Sequence, residues 1–396
     1  MTHPERASTL ADPMTSAPRL LLALFALLLS ACAPAPAAPA PTPTTATPTA
    51  APAPTATSSA ASAAKPAAST PTSAVASRPA PLSPPVSIKF GDPVFNPMAP
   101  VYIALDKGYF REEGIDVQLV ATAAQADLVS QVSLGQLQFG MSGPDPALFN
   151  AMERGVEVRL LGSSVANRET DRTAQLLVRA DLVDSGKFKS AADLKGARIA
   201  VPAEQSQFYV ERFLTRGGLT GDEVMWVRMA LPDQLAAFKS GAIDAGWNVE
   251  PLATSAVNQG LAKSVAITGE LFPGANAQAL VMSPAFGREN PEAARRVVVA
   301  YLRGLRDYYH AFVKNDGDRA SVVPALVNHT PIKDPNLFNI IGMHSVDANG
   351  ALNIQTWDPF QDYFLKRGLQ NTKLDLSKYV DESYLNAAID RLGREA

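Results

Sequence analysis

Two hydrophobic patterns follow each other between residues 100 and 120. Apolar residues first recur at helical spacing over 100–105, which predicts a helix, and Pro100 suits its first turn. Apolar and polar residues then alternate over 115–119, which is the period of a half-buried strand. A short strand is also predicted at 87–90. Together these patterns predict a right-handed βαβ unit of an open sheet.

The alternation of strand and helix patterns continues beyond this unit and restarts near Ser190. The repetition predicts two α/β lobes, a first lobe over 86–180 and a second over 181–275. Residues 276–396 are predicted to return to the first lobe and end in helices, among them 291–313, 359–367 and 382–391. The predicted strand Ala174–Val178 could leave the first lobe and Asn276–Met282 could return to it. Two crossing strands predict a hinged clam-shell with a ligand between its lobes.

The N-terminal segment 1–31 has the pattern of a signal peptide. A run of apolar residues over 20–29 follows Arg19 and is too short for a bilayer, which needs about 20. It leads into Leu-Ser-Ala-Cys32, which resembles the bacterial lipobox. We therefore expect an exported protein anchored at Cys32 by lipid to the extracytoplasmic face of the membrane. A buried helix with a chance cysteine is the alternative, and Met14 is an alternative start to Met1.

Residues 32–85 carry this cysteine and then almost only Ala, Pro, Thr and Ser. Such a segment has too few large apolar side chains to offset the entropy of ordering. We expect a disordered, semi-extended spacer between the membrane and the folded part, which would begin near Val86.

Composition narrows the possible functions. A net charge of −3 over 396 residues does not indicate nucleic-acid binding. A single cysteine excludes a disulfide framework or a cysteine-based metal site within the chain, and the four histidines are scattered. We expect no metal site and no cofactor.

Loops at the carboxyl ends of the predicted strands are the candidate walls of a ligand site. Trp247, Asn248 and Glu250 suit a flat heterocycle with N–H groups, although Trp247 could equally serve the core. Helix capping is as good an explanation for the polar residues that begin the helices. The candidate ligand-binding residues are Phe95, Asn96, Ser142, Asp145, Gln205, Ser206, Trp247, Asn248 and Glu250. Phe208 and Tyr209 could add a stacking face, with core burial expected for one of them.

Three sequence blocks together carry a family resemblance. The blocks 99–117, 193–201 and 235–245, the last followed by Glu250-Pro251, resemble ABC-importer substrate-binding proteins of the sulfonate, nitrate and thiamine-pyrimidine group. The resemblance covers about 88–390. It implies an α/β periplasmic-binding-protein fold of type II with a two-strand hinge. It also implies a monomer that takes up a small molecule and delivers it to a membrane permease.

The ligand class is less well defined by the sequence. Residues 375–385 resemble the thiamine-pyrimidine and riboflavin branch, and the predicted cleft loops carry no Arg or Lys. We therefore expect a vitamin-type heterocycle such as riboflavin or a thiamine-pyrimidine precursor. The alternative is an aliphatic sulfonate, taurine or nitrate. Arg168 and Arg172 lie in a loop that the patterns do not place.

Enzymatic activity is not expected. A related branch that makes the thiamine pyrimidine uses a cysteine-rich segment and its own histidine. Here Cys32 is the only cysteine, and no histidine falls in a predicted cleft loop. Gly140-Met-Ser-Gly143 lacks the Gly-x-Ser-x-Gly spacing of a nucleophile elbow. A regulator with a helix-turn-helix is excluded by the export signal.

Overall fold

A computed structural model describes residues 79–93, 96–122 and 125–396. The predicted signal peptide, Cys32, most of the predicted spacer and Phe95 lie outside the described residues. For Asn96 only the backbone is described.

Ten strands form two five-stranded sheets within the described residues. The strands are β1 Val86–Asp92, β2 Ile115–Ala121, β3 Phe139–Ser142, β4 Arg159–Ala166, β5 Ala174–Arg179, β6 Arg198–Val201, β7 Met225–Arg228, β8 Ala245–Val249, β9 Ala262–Ile267 and β10 Asn276–Met282.

Helices connect and cover these strands. They are α1 Ala99–Asp106, α2 Tyr109–Glu112, α3 Gln125–Ser133, α4 Pro146–Glu153, α5 Ala180–Asp184, α6 Glu204–Leu214, α7 Asp233–Ser240, α8 Leu252–Asn258, α9 Thr268–Leu271, α10 Pro284–Glu289, α11 Pro291–Tyr308, α12 Arg319–His329, α13 Asp358–Lys366 and α14 Ser383–Leu392. None of the described helices is long and apolar enough to cross a bilayer.

The two sheets have matching architecture. Their strand orders are β2-β1-β3-β10-β4 and β7-β6-β8-β5-β9. Parallel pairs such as β1 with β2 and β6 with β7 result from βαβ units, as the pattern of the opening stretch predicts. In each sheet one strand inserted from the other half of the chain runs antiparallel, β10 in the first and β5 in the second.

The chain passes between the lobes twice. Residues 167–173 lead from β4 to β5, and residues 272–275 lead from α9 to β10. Because β5 belongs to the second sheet, the chain leaves the first lobe before Ala174, earlier than the expected boundary at 180. The pattern of hydrophobic residues could not decide which sheet β5 joins, since a buried strand has the same pattern in either.

Several elements differ from the sequence-based prediction. β9 was not predicted, although Ala262–Ile267 follows Gly260 and alternates weakly. The helix predicted over 291–313 is α-helical to Tyr308 and continues as a π-helical turn over Tyr309–Lys314.

The last residues of the predicted spacer pack on the folded part. The Ala80 carbonyl accepts a hydrogen bond from Arg296 Nη1 at 2.6 Å, and the Leu82 N–H donates to the Glu113 carbonyl at 3.3 Å. Glu113 is fully buried and holds Arg391 through two contacts of 2.7 Å. Residues 79–85 are therefore ordered by backbone contacts, which a composition of Pro, Ala and Ser does not reveal.

α13 packs against both lobes. Phe360 lies 4.0 Å from Phe208 of α6, centroid to centroid, on the side of the second lobe. Phe364 lies 6.1 Å from Phe149 of α4 on the side of the first. Tyr363 Oη donates to Glu211 Oε1 at 2.9 Å, again in the second lobe. We call this set of aromatic contacts around α13 the α13 bridge.

Candidate functional site

A cavity of about 710 Å³ lies between the two lobes. Its walls come from the loop after β1, the first crossing segment, the start of α6, the end of β8 and the start of β10, with a further loop after α12. This volume falls in the range typical of pockets that enclose small organic ligands. The lining residues of the first lobe and the crossing segments include Pro93, Pro97, Val165, Asn167, Thr173, Ala174, Thr268, Ala277 and Gln278. Those of the second lobe and the C-terminal part include Gln205, Ser206, Tyr209, Leu231, Trp247, Val249, Glu250, Pro251, Thr330, Ile332, Lys333, Leu337 and His344.

The wall formed by the second lobe is aromatic. Tyr209 and Trp247 stack with ring centroids 5.1 Å apart and planes 11° apart, and both residues line the cavity. Phe208, the neighbour of Tyr209, is instead part of the α13 bridge. Of the two aromatic residues that the sequence offered as a stacking face, one lines the cavity and the other is in the core.

Two of the candidate residues, Trp247 and Asn248, lie on opposite faces of β8. Trp247 and Val249 line the cavity, whereas Asn248 between them does not. Successive side chains of a strand point to opposite faces. The Asn248 amide donates to the Leu231 carbonyl at 3.1 Å, and its carbonyl accepts from the Val249 N–H at 2.8 Å. Asn248 is thus engaged inside the second lobe.

Ser142 and Asp145 also lie outside the lining of the cavity. Asp145 Oδ1 accepts from the Ala147 N–H at 2.8 Å and caps α4, which was the alternative explanation for it. Burial raises the pKa of Asp145. The Ser142 hydroxyl is buried at the end of β3, without a hydrogen-bond partner among the described residues.

Glu250 is a buried carboxylate in the cavity wall. Its oxygens accept hydrogen bonds from Gln175 Nε2 at 2.8 Å, from the Thr254 hydroxyl at 2.9 Å and from the Thr254 N–H at 3.1 Å. These contacts fix the carboxylate at the junction of β8 and α8.

Two charged or titratable residues enter the cavity that the sequence did not suggest. Lys333 and His344 line it, although the predicted cleft loops contained no cation and no histidine. Both belong to the segment after α12, for which the hydrophobic pattern predicted only general helicity. The run Thr330-Pro-Ile-Lys333, which breaks a helical pattern, was the available signal.

The cationic side chain of Lys333 differs in position from those of Arg168 and Arg172. Lys333 Nζ lies 2.7 Å from the Val327 carbonyl at the end of α12, so its charge is shared with that helix terminus. Arg168 and Arg172 line a separate, smaller concavity of about 290 Å³. Lys333 is therefore the single cationic side chain among the described residues that line the main cavity.

His344 is held in a fixed orientation. Its ring stacks on Tyr308 at 4.6 Å, and Nδ1 lies 3.0 Å from the Tyr308 hydroxyl. Burial lowers the pKa of His344 to about 3, and a backbone interaction with Ser164 opposes that shift. The ring is therefore neutral in ordinary buffers. Nε2 is buried without a hydrogen-bond partner among the described residues.

With this geometry established, comparison with known proteins identifies the family. The sequence profile described as NMT1/THI5 like matches residues 96–311, which is more than half of the chain. The chain belongs to the NMT1/THI5-like family. Within the described residues, the two-sheet architecture is that of a type II periplasmic binding protein, as the resemblance implied.

The relatives of the NMT1/THI5-like chain include both a binding protein and an enzyme. It is 23% identical over 219 residues to the nitrate/nitrite binding protein of Nostoc sp., covering 52% of this chain and 50% of that protein. It is 29% identical over 152 residues to the 4-amino-5-hydroxymethyl-2-methylpyrimidine phosphate synthase of Aspergillus parasiticus, covering 38% and 42%. This chain thus spans half the length of the first of these relatives and less than half of the second.

A solved structure resembles the NMT1/THI5-like chain over a greater length. It is the alkanesulfonate-binding protein SsuA from Xanthomonas axonopodis pv. citri bound to MOPS. The TM-score is 0.58 at 18% identity, over 77% of this chain and 99% of that protein. At this identity the likeness establishes the fold.

Proposed function

We propose that this chain is the extracytoplasmic solute-binding component of an ABC importer. It would capture a small organic molecule between its lobes and deliver it to a membrane permease. The observation that carries the proposal is the cavity of about 710 Å³, which residues of both lobes line. The family, the type II fold and the binding-protein names among the similar proteins support it.

An organic sulfonate is the first candidate for the ligand. The similar binding proteins are named for nitrate and for alkanesulfonate, and this favours a sulfonate or nitrate, which was the alternative to the expected vitamin. The size of the cavity supports a sulfonate over nitrate, because a single nitrate ion would leave most of the apolar volume unfilled. A sulfonate with an apolar body could fill that volume, with Lys333 as the nearest source of positive charge.

A vitamin-type heterocycle is the second candidate. The stacked Tyr209–Trp247 pair favours a flat ring system such as riboflavin or a thiamine-pyrimidine precursor. The synthase among the relatives acts in pyrimidine chemistry, which also supports this ligand class. Both candidates share an apolar or aromatic body, and they differ in the charge of the head group.

We infer binding without catalysis. The histidine that lines the cavity is buried and neutral, and its Nδ1 is engaged by Tyr308. Among the described residues, no cluster of His, Asp and Glu side chains is arranged to hold a metal ion. The cavity therefore offers groups for enclosure and recognition, with no described nucleophile next to a free base.

A ligand panel tests the proposal on the protein without its signal peptide. The panel contains taurine, MOPS, naphthalenesulfonate, nitrate, riboflavin and the hydroxymethyl pyrimidine of thiamine. Binding is measured by thermal shift and by the emission of Trp247, with Trp247→Phe as the control for which tryptophan reports. We expect an organic sulfonate to bind with a change in emission.

The outcomes separate the candidates. Riboflavin or pyrimidine binding without a response to sulfonates would replace the first ligand class by the second. Nitrate as the only ligand would contradict the role of the apolar cavity. Failure of every compound, together with no small molecule released from the purified protein on denaturation, would argue against a solute-binding function.

We also propose the lipid anchor at Cys32, on the strength of the lipobox-like sequence alone. In a bacterial host, Cys32→Ser should move the protein from the membrane fraction to the soluble extracytoplasmic fraction. Incorporation of labelled palmitate should disappear with it. Persistent membrane association of the variant would contradict lipidation at this position.

A further inference from the structure

Three arginine residues line the smaller concavity of about 290 Å³ beside the first crossing segment. Arg168 and Arg172 belong to that segment, residues 167–173, and Arg319 begins α12. The volume is about ten times that of one water molecule in the liquid. The concavity shares no lining residue with the cavity between the lobes. It is therefore a separate space with room for a small ion and its nearest waters.

The side chains of Arg168 and Arg172 are open to solvent. Both residues are exposed, and neither forms an ion pair with a carboxylate of the described residues. The Arg172 side chain also makes no hydrogen bond to a described residue. The Arg168 guanidinium lies 6.0 Å from the centroid of the Tyr309 ring, and both of these residues also line a neighbouring concavity. A dissolved anion can therefore reach both arginine side chains.

Arg319 is held in a fixed position and keeps uncommitted N–H groups. Its Nε donates to the Ala311 carbonyl at 2.8 Å, its Nη2 to Asn315 Oδ1 at 2.6 Å and its Nη1 to Asn339 Oδ1 at 3.3 Å. A guanidinium has five N–H groups, so one on each terminal nitrogen has no partner among the described residues. Asn315 and Asn339 line the concavity as well, which places the terminal nitrogens of Arg319 at its wall.

One carboxylate, that of Asp171, lines the same concavity. It is 5% exposed and accepts hydrogen bonds from the Ser345 hydroxyl at 2.6 Å, the Ser345 N–H at 3.0 Å and the Arg168 N–H at 3.0 Å. Glu169, the other acidic residue of the crossing segment, does not line the concavity. Three positive charges and one negative charge therefore line it, a net charge of +2. The negative charge is the buried one, so the surface that solvent reaches is positive.

These guanidinium groups suit a phosphate-type oxyanion, because their planar N–H groups match its oxygen atoms. An anion with several equivalent oxygens can accept from more than one of them at once. We propose that the concavity binds a phosphate-type oxyanion through Arg168, Arg172 and Arg319. The inference goes beyond the proposed solute-binding function and does not depend on it. Free phosphate and the phosphate of a lipid head group share this chemistry.

Titration calorimetry with inorganic phosphate tests the site on the protein without its signal peptide. The ionic strength is held constant with chloride, because salt screens exposed charges. We expect saturable binding of one phosphate ion with a dissociation constant of about 1 mM or below, since hydrogen bonds between charged groups are strong.

Arg172→Gln is the main variant, because its side chain has no described hydrogen bond to lose. It should weaken phosphate binding at least about tenfold, and Arg168→Gln should weaken it as well. Arg154→Gln is the matched control, since it removes the same charge from an exposed residue outside the concavity. We expect no change in that control. Equal weakening by Arg172→Gln and Arg154→Gln would show a response to net charge alone and would overturn the inference.

A variant of the cavity between the lobes distinguishes the two places where an anion can bind. Lys333→Gln removes the cationic side chain that lines that cavity. Phosphate binding that falls with Lys333→Gln and not with Arg172→Gln would place the ion between the lobes and overturn the inference. The proposed solute-binding function would still stand, because the ligand panel tests it independently.

Vesicles identify the source of the phosphate group. Cosedimentation of the same protein is measured with phosphatidylglycerol vesicles and, as the control, with phosphatidylcholine vesicles. Binding to phosphatidylglycerol that Arg172→Gln abolishes and free phosphate displaces would identify a lipid head group as the ligand. Binding of inorganic phosphate without binding of vesicles would identify the dissolved ion. Binding of neither would overturn the inference.

Discussion

At the scale of single residues, β8 offers a matched pair for mutation. Trp247→Ala removes a stacked cavity wall and should weaken binding of the tightest panel compound by more than about tenfold. Asn248→Ala removes a buried amide that faces the lobe interior, so it should lower the free energy of unfolding by about 1–3 kcal/mol. Titration calorimetry and urea unfolding of both variants measure the two effects.

Because Trp247 and Asn248 are neighbours on β8, a comparison of the two variants tests which face of the strand meets the cavity. If Asn248→Ala weakened binding as much as Trp247→Ala in folded protein, the assignment of the two faces would be wrong. The sequence placed both residues at the strand end but could not orient them. Alternation fixes which residues share a face, and only tertiary packing determines which face meets the cavity.

His344 should make stability depend on pH. The folded pKa of about 3 lies below the ordinary value of about 6.5, so the unfolded chain takes up the proton first as pH falls. The contribution is therefore fully present above about pH 6.5 and is lost progressively towards about pH 3. Between about pH 7 and about pH 5, His344→Gln should lose less stability than the wild type. Urea unfolding measures the free energy of unfolding of both proteins at each pH. An equal change with pH in the wild type and in His344→Gln would contradict a buried, neutral His344.

At the scale of elements, sequence patterns predicted α13 as a helix but did not predict its contacts. Its bounds follow from helical spacing, and the prediction over 359–367 differs from Asp358–Lys366 by one residue at each end. Its contacts could not be predicted, because Phe360 and Phe364 have the same pattern whether they pack on one lobe or on two. The unpredicted cavity residues Lys333 and His344 have the same origin, since they belong to loops placed by long-range packing.

The α13 bridge should be a major source of stability. Phe360 is fully buried among aromatic rings of α6 and the second crossing segment. Phe360→Ala should therefore lower the free energy of unfolding by about 3–5 kcal/mol. Tyr363→Phe keeps the ring and removes the hydrogen bond to Glu211, so a loss of about 1–2 kcal/mol is expected. Chemical unfolding followed by circular dichroism measures both, and equal losses would show that ring packing is not the dominant contribution.

At the scale of the whole molecule, the arrangement of two lobes around a cavity predicts a change of shape. X-ray scattering of the protein without its N-terminal segment should show a smaller radius of gyration with bound ligand than without. An unchanged radius in the wild type, together with tight binding, would contradict closure of the lobes. Phe360→Ala should enlarge the radius of the free protein if the bridge restrains opening.

The fold as a whole could be predicted from the sequence, whereas only some of the residues that line the cavity could. Repeated strand and helix patterns and three short blocks were enough for the type II fold. Of the candidate ligand-binding residues, Gln205, Ser206, Trp247 and Glu250 line the cavity. Other lining residues come from the first crossing segment and a C-terminal loop, where no periodic pattern exists to indicate position.

The α13 bridge also has a kinetic consequence. If these contacts stabilise the closed arrangement in the absence of ligand, only a fraction of molecules is open for entry at any moment. The apparent affinity depends on how often the competent arrangement is populated. Weakening the bridge would accelerate both capture and release. The strength of a few aromatic contacts outside the cavity could thus determine how quickly the protein releases its ligand.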